Sequence, residues 1–347
     1  MKKLKIGIIG CGTIADIHAD AITQSKNAEL HSVFSRNEKK AKKCAENYGV
    51  HPCSDWNEFI SDNDLDAVSI CTPSGTHLDY GVKAAKEGKH VIVEKPIEVT
   101  LQRAKTLINE CKINNVKLAV IYQSRFIPEI SELKKQLKQS IIGDIFMVDA
   151  YVKWYRNQEY YDNGIWRGTF KLDGGGVLIN QAIHTIDLLQ WFMGDVETVY
   201  GKIGTFTHTN IEGEDNAAAV LKYKTGAIGV IEASTSVQPA QSRKIELHGK
   251  QGTIVVNDDS VKFFISGREE KQSEKKEERA SGASSPLSGF SIEPHKKQFE
   301  AITNAIINNQ SPPVSGEESM KSLAIVQAIY ESSKLNVPVV LDDLVKR

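Results

Sequence analysis

Two rhythms of apolar and polar positions divide this chain. Up to residue 122, short apolar runs alternate with stretches whose apolar positions recur every three or four residues. The runs Lys5–Gly10, Glu29–Phe34, Ala67–Cys71, His90–Glu94 and Val116–Ile121 read as buried strands. Thr13–Thr23, Glu38–Asn47, Thr76–Glu87 and Thr100–Asn114 read as helices, and Asp55 with Glu58 resembles a capping box for a short one. Strands alternating with helices predict βαβ units and a doubly wound parallel sheet, a Rossmann domain over residues 1–122.

After Arg125 the rhythm changes. A helix at Glu129–Gln139 leads to the alternating strand Phe146–Trp154, an aromatic and polar loop, and a long helix at Val177–Met193. Strands follow at Ala217–Tyr223, Ala227–Thr235, Lys244–His248, Thr253–Val256 and Val261–Ile265, with turns at Lys224-Thr225-Gly226 and Lys250-Gln251-Gly252. Neighbouring strands predict a largely antiparallel sheet, hence a second α/β domain over 123–347. Arg268–Arg279 is a mixed-sign charge run and Ala280–Gly289 is rich in Ser and Gly, which together read as an exposed, mobile connection. Helices at Lys296–Asn308 and Ser319–Leu335 follow, and the 296–335 segment is expected to pack back on the first domain.

Composition narrows the class. The 347 residues suit two cores better than one. A net charge of −1 provides no overall field for nucleic acid or an anionic membrane. Glycines interrupt the apolar start MKKLKIGIIGCG too early for a signal peptide, and no stretch approaches a membrane span. Cys11, Cys44, Cys53, Cys71 and Cys111 form no CxxC pair and no Cys/His cluster with zinc spacing. A cytoplasmic protein without a bound metal is the expectation.

The chemistry begins where the first strand ends. Gly10-Cys11-Gly12-Thr13-Ile14-Ala15 is GxGxxA, set between a strand and a helix. The first glycine permits a tight turn, the second lets backbone approach a pyrophosphate, and the small third residue permits close packing. The helix N-terminus then offers free N–H groups to the phosphates. At the end of the second strand stand Ser35-Arg36-Asn37. No carboxylate is present to take a ribose 2′-hydroxyl, and Arg36 suits a 2′-phosphate, so NADP is favoured with NAD as the rival.

Three further motifs accompany this one. Thr72-Pro73-Ser74-Gly75-Thr76-His77 follows a strand, Gly88-Lys89-His90-Val91-Ile92-Val93-Glu94-Lys95-Pro96 follows a helix, and Gly174-Gly175-Gly176 opens the segment that carries Asn180, Gln181, His184 and Asp187. Together with GCGTIA they resemble the Gfo/Idh/MocA oxidoreductases, the family of glucose–fructose oxidoreductase and inositol dehydrogenase, over nearly the whole chain. The resemblance implies a Rossmann domain followed by a substrate-binding domain with a large, open, mostly antiparallel sheet. It implies assembly through that sheet as a homodimer or homotetramer. It also implies an active-site lysine at Lys95, cis or strained geometry at Lys95-Pro96, and a catalytic histidine at His184. Cofactor-binding residues are then Gly10, Gly12, Thr13, Ile14, Ser35, Arg36, Thr72, Pro73, His77, Glu94 and Lys95.

Elementary chemistry agrees with these roles. Removing hydride from a secondary alcohol leaves a proton to be taken, which suits histidine. A lysine beside it steadies the developing negative charge on oxygen. Asn180 and His184 stand four apart on one helix face, and Asp187 is placed to orient the imidazole. Members similar to inositol dehydrogenase carry Asp where this chain has Asn180. The change weakens an Asp–His relay and removes one negative charge from the pocket.

The aromatic loop contains Lys153, Trp154, Tyr155, Arg156, Tyr160, Tyr161, Trp166, Arg167 and Lys171. Aromatic faces stack on sugar rings, and Arg or Lys grips carboxylate or phosphate. The string resembles the branch that oxidises UDP-N-acetylglucosaminuronic acid at C3. Substrate-binding candidates are Arg125, Tyr155, Trp166, Arg167, Lys171, Asn180 and His184. The same aromatics also suit a packed sheet edge or a subunit interface. A nucleotide-sugar dehydrogenase competes with a free polyol or inositol dehydrogenase. A non-catalytic NADP-sensing regulator and a glycosidase that borrows NAD are readings of other classes, and retention of both Lys95 and His184 speaks against the sensor.

Overall fold

The structure is a computed structural model in which residues 3–265, 271–272 and 291–346 are described. The chain divides into two compact units, Met1–Phe126 with Phe290–Met320, and Ile127–Gly289 with Lys321–Arg347. The connection expected at Arg268–Gly289 lies outside the described residues, apart from Lys271–Gln272.

The first unit alternates strand and helix: β1 (Leu4–Ile9), α1 (Thr13–Gln24), β2 (Ala28–Phe34), α2 (Glu38–Tyr48), β3 (His51–Cys53), α3 (Trp56–Ile60), β4 (Ala67–Ile70), α4 (His77–Lys86), β5 (His90–Val93), α5 (Leu101–Ile113) and β6 (Leu118–Val120). All neighbouring strands pair in parallel, in the order β3-β2-β1-β4-β5-β6. This is the predicted doubly wound sheet, with its order reversing at β1 and β4. Helices on both faces explain why β4 is buried at every position rather than at alternate ones. The caps are written into the sequence: Asn37, Asp55 and Thr100 accept backbone N–H groups from Lys40, Glu58 and Arg103. Ile6, Ile8, Ile22 and Ile92 are fully buried, each contributing ~1.5–3 kcal/mol by leaving water.

The second unit opens with α6 (Pro128–Lys138), β7 (Ile145–Lys153) and a short α7 (Gln158–Asp162). The predicted long helix starts as one wide π turn, Leu178–Ala182, and continues as α8 (Ile183–Met193). Then come β8 (Val196–Gly204), β9 (Asn216–Tyr223), β10 (Ile228–Ser234), β11 (Lys244–Gly249), β12 (Gly252–Asn257), β13 (Ser260–Ile265) and β14 (Lys271–Gln272). α9 (Glu293–Ile307) and the start of α10 (Gly316–Leu335) belong to the first unit, and the rest of α10, β15 (Val339–Val340) and α11 (Leu341–Lys346) belong to the second. Nine strands run in the order β14-β13-β12-β11-β7-β10-β9-β8-β15. Every pair is antiparallel except β7 with β10. In β9, Ala217, Ala219, Leu221 and Tyr223 are buried while Ala218, Val220 and Lys222 are exposed, so one face of the sheet is covered and the other open. α8 packs on β7, with nine of its eleven residues buried.

Among the described residues, no helix is long and apolar enough to cross a membrane.

Candidate active site

The residues expected to bind the nucleotide lie at the strand ends of the first unit. Gly10 has φ +103°, and a Cβ there would lie 2.8 Å from the Cys71 carbonyl oxygen. Only glycine fits such a position. Gly12 caps α1 without a side-chain hydrogen bond, and no atom lies within 4 Å of the place its Cβ would take. Ala15 is fully buried beneath. The turn at Gly12 therefore borders open space where α1 begins, which fits a pyrophosphate.

At the end of β2, the Ser35 N–H donates to the Cys53 carbonyl at 3.1 Å, and Ser35 Oγ accepts the Asn37 N–H at 3.2 Å. Arg36 is exposed at the centre of that turn. The Thr76 hydroxyl donates to Thr72 Oγ1 and to the Pro73 carbonyl, both at 2.7 Å. His77, expected to touch cofactor, is fully buried: Nε2 lies 3.0 Å from the Thr72 carbonyl and Nδ1 3.0 Å from that of Pro96. It ties the two loops together from within.

The Lys95–Pro96 peptide bond is cis, and Lys95 itself is half-buried. Glu94, expected as a cofactor contact, turns inward. Its Oε1 lies 2.8 Å from His18 Nε2, and its Oε2 accepts the Lys95 N–H at 3.0 Å. Burial by itself would raise the Glu94 pKa, but the hydrogen bond and charge of His18 outweigh it and hold the carboxyl at about 2. Burial likewise opposes protonation of His18, and the facing Cys71 sulfur and Glu94 carboxylate overcome it and raise its pKa. Spacing gave no sign of His18, because its partners are distant in the chain, Ser69 on β4 and Glu94 just after β5. Arg125, expected to face substrate, is 4% exposed and pairs with Glu318 at 3.1 Å. The structure thus places it in an ion pair inside the first unit, because its guanidinium leaves water only with a carboxylate partner.

The second unit holds Asn180 and His184. Three glycines introduce them because backbone passes too close for any side chain. Gly174 and Gly175 have φ +94° and +145°. A Cβ on Gly175 would lie 2.1 Å from the Tyr330 hydroxyl, and one on Gly176 would lie 1.8 Å from the Glu214 carbonyl oxygen. Glu214, fully buried, receives the start of the helical segment. Its Oε2 accepts the Gly176 N–H at 3.1 Å, its Oε1 accepts the Leu178 N–H at 2.8 Å, and its own carbonyl accepts the Val177 N–H at 2.9 Å. Tyr330 donates its hydroxyl to Oε1 at 3.1 Å. Burial pushes the Glu214 pKa up to about 7 against these donors.

Asn180 donates its side-chain amide to Asp173, 2.8 Å from Oδ1 and 2.9 Å from Oδ2. The negative charge expected to be missing with Asn180 is therefore present beside it, on a residue that the glycine turn carries back. His184 is half-buried, and Asp187 is buried further along α8. Gln181 donates to the Tyr160 hydroxyl at 3.1 Å. Two guanidinium groups flank the Tyr160 ring, Arg156 at 5.2 Å and Arg167 at 4.6 Å from its centroid, with Trp154 beyond the first at 5.7 Å and Trp166 beyond the second at 5.1 Å. His208 anchors this layer, its Nε2 2.8 Å from the Arg156 carbonyl and its Nδ1 3.0 Å from Asp215. Tyr155 is half-buried beside β10 in an isolated bridge to Ser236, and Lys171 is exposed, so both stand at the edge of the Tyr160 layer rather than within it. Among the described residues three groups bring potential metal ligands together, His18 with Glu94 and His295, His51 with Cys53 and Glu58, and Asp149 with Glu246 and His248; neither Asn180 nor His184 belongs to any of them.

A parallel sheet with an open glycine turn, joined in one chain to an open antiparallel sheet carrying a helical histidine, defines a dinucleotide-dependent oxidoreductase. Residues 4–122 match the NAD-binding Rossmann fold of the GFO_IDH_MocA oxidoreductase family, and residues 134–341 match that family's C-terminal α/β domain. The chain belongs to the Gfo/Idh/MocA oxidoreductase family. It is similar to the WlbA dehydrogenase of Bordetella pertussis, solved with NADH and UDP-GlcNAcA. Identity is 30%, coverage 98% of this chain and 99% of that one, and the TM-score 0.85. The WlbA dehydrogenase of the Chromobacterium species, with the same two ligands, is 27% identical, covers 98% and 96%, and has a TM-score of 0.85. A myo-inositol 2-dehydrogenase of Thermotoga maritima is 27% identical over 99% of this chain and its own full length.

Proposed function

We propose that this chain oxidises a ring hydroxyl of an anionic nucleotide sugar, of the UDP-N-acetylglucosaminuronate class, at C3. The observation that carries this reading is the pair Arg156 and Arg167 stacked on Tyr160, linked through Gln181 to the helical segment of Asn180 and His184. Stacking on an aromatic ring fixes the plane of a guanidinium group, and a guanidinium in a fixed plane suits the planar recognition of carboxylate or phosphate. The likeness to WlbA, a protein solved with such a sugar, supports the same reading. The likeness to myo-inositol 2-dehydrogenase favours a second one, a free polyol as substrate.

The nicotinamide supplies the hydride acceptor or donor. Gly10, Gly12, Thr13 and Ile14 hold the pyrophosphate, and Ser35 with Arg36 receives the adenosine ribose. Lys95 steadies the charge that develops on the substrate oxygen. His184 exchanges its proton, and Asn180 hydrogen-bonds the substrate. Asp187 serves as a buried support of the His184 helix. Trp166 and Arg167 contribute to the sugar platform, with Tyr155 and Lys171 at its margin. The open sheet face joins copies of the chain as a dimer or tetramer in the cytoplasm.

The deciding experiment offers UDP-N-acetylglucosaminuronic acid, myo-inositol and a set of aldoses with NAD and with NADP, following absorbance of the reduced cofactor. Turnover of the nucleotide sugar at far lower concentration than any polyol is the expected result. Preference for a polyol replaces this reading with the second one.

The finer cofactor reading is that Arg36 makes NADP bind more tightly than NAD. Arg36→Ala should then weaken NADP and leave NAD nearly unchanged. A wild-type preference for NAD, which the NADH complexes of the WlbA structures would lead one to expect, overturns it.

A further inference from the structure

Asp173 has no part in the roles drawn so far. It is 2% exposed and stands directly before Gly174. Its Oδ2 accepts the Gly168 N–H at 2.9 Å, and both its oxygens lie within 2.9 Å of Asn180 Nδ2. A carboxylate accepts hydrogen bonds and cannot donate them, so only the amide end of Asn180 can face it. Chemistry thereby fixes which end of the carboxamide is which. The NH2 group is turned to Asp173 and the carbonyl oxygen is turned away.

We propose that Asp173 is the positioning residue of the substrate site: it holds the Asn180 carboxamide with its oxygen presented to a substrate hydroxyl. The inference rests on the reading that Asn180 belongs to that site. Two consequences follow for specificity. The group that meets substrate accepts a hydrogen bond at every working pH, since a carboxamide does not titrate there. The negative charge is kept one side chain back from the substrate, where it opposes an anionic sugar less than a carboxylate at position 180 would.

The same distances dictate what happens when the charge is moved. Asn180→Asp sets a half-buried carboxyl group within hydrogen-bond reach of the buried Asp173. Like charges so close do not both ionise, and the pair keeps a proton well above the usual carboxylate range. Combining Asp173→Asn with Asn180→Asp restores one carboxylate against one carboxamide, with donor and acceptor exchanged.

The first arm of the test needs no substrate. The unfolding temperature of the full chain is measured at about pH 5 and about pH 8 for wild type, Asn180→Asp and the exchanged double variant. A carboxyl whose folded pKa is raised loses its stability contribution as pH rises. Asn180→Asp should therefore fall further than wild type between the two pH values, and the double variant should return to the wild-type difference. Parallel behaviour of Asn180→Asp and wild type would overturn the inference, whatever the substrate proves to be. The second arm uses UDP-N-acetylglucosaminuronic acid and NAD. Asp173→Asn lets Asn180 turn either end outward and should raise KM roughly tenfold with a smaller change in kcat. An unchanged KM, alongside lost turnover in Asn180→Ala, sinks the role of Asp173 alone. Normal turnover in Asn180→Ala sinks the placement of Asn180 in the site and the inference with it.

Discussion

The proposed roles of Lys95 and His184 are different, and their variants test them separately. Lys95→Met removes the charge proposed to steady the substrate oxygen while leaving the glycine turn at Gly10–Gly12 untouched. Turnover should fall on the order of 10²–10³-fold. His184→Ala removes the proposed proton acceptor and should cost on the order of 10²–10⁴-fold. Cofactor affinity should change far less in both, by fluorescence titration of the reduced nicotinamide. In the oxidation direction the wild-type rate should rise with pH as the imidazole gives up its proton. A His184→Ala enzyme that keeps that limb would pass the role of base to Lys95. Glu214 makes a prediction of a different kind. Its folded pKa, about 7, lies above the ordinary carboxylate range because the side chain is buried. Its contribution to stability is thus fully present below that range and lost as pH rises through about 7, with a steepest slope of ~1.4 kcal/mol per pH unit. Denaturant titrations from about pH 4 to pH 8 should show this decline in wild type and a flatter curve in Glu214→Gln.

Among the elements, the helical segment of the second unit is the one the glycine turn controls. Gly176→Ala drives a methyl group into the Glu214 carbonyl, which is backbone and has nowhere to go. The cost should be at least about 3 kcal/mol in chemical denaturation, whereas Gly12→Ala, which meets open space, should leave stability nearly unchanged and weaken cofactor binding instead. These positions also show what a sequence discloses. Strands such as Ala67–Ile70 and His90–Val93 are short apolar runs bounded by turns, and α1, α2 and α5 carry their periodicity and caps locally, so all were legible. The strand Val196–Gly204 was not, because a helix immediately precedes it and its inward positions include Gly201 rather than a run of large apolar residues. The π turn at Leu178–Ala182 has the same apolar pattern as the α-helix it leads into. Motifs pointed to Asn180 and His184 but not to Asp173, Glu214 or His18, whose importance arises only when distant backbone brings each to its partner. The ion pair of Arg125 was hidden for the same reason: nothing near it in the chain announces Glu318.

At the scale of the whole molecule, the open face of the nine-stranded sheet offers the test of assembly. Met147, Val220, Ile228 and Phe264 are all 40% exposed or more. In the register, Met147 stands beside Ile228. Val220→Lys with Ile228→Lys should give a smaller sedimenting species than wild type, with the fold unchanged by circular dichroism. An unchanged sedimentation coefficient would place the contact between copies elsewhere.

The single parallel pairing in that sheet has a kinetic meaning. β7 lies at the centre, between β10 and β11, and Met147 finds Ile228 only after the aromatic loop, α8, β8 and β9 have all been made. Closing so long a loop is slow compared with joining neighbours, as β1 and β2 do through one helix. During synthesis the first βαβ units can therefore condense while the ribosome is still adding the second domain, whose middle strand waits for a partner. The late-forming seam is the one beneath α8. A refolding chain should acquire protected amides in β1 and β4 before β7, and catalytic competence should appear last of all.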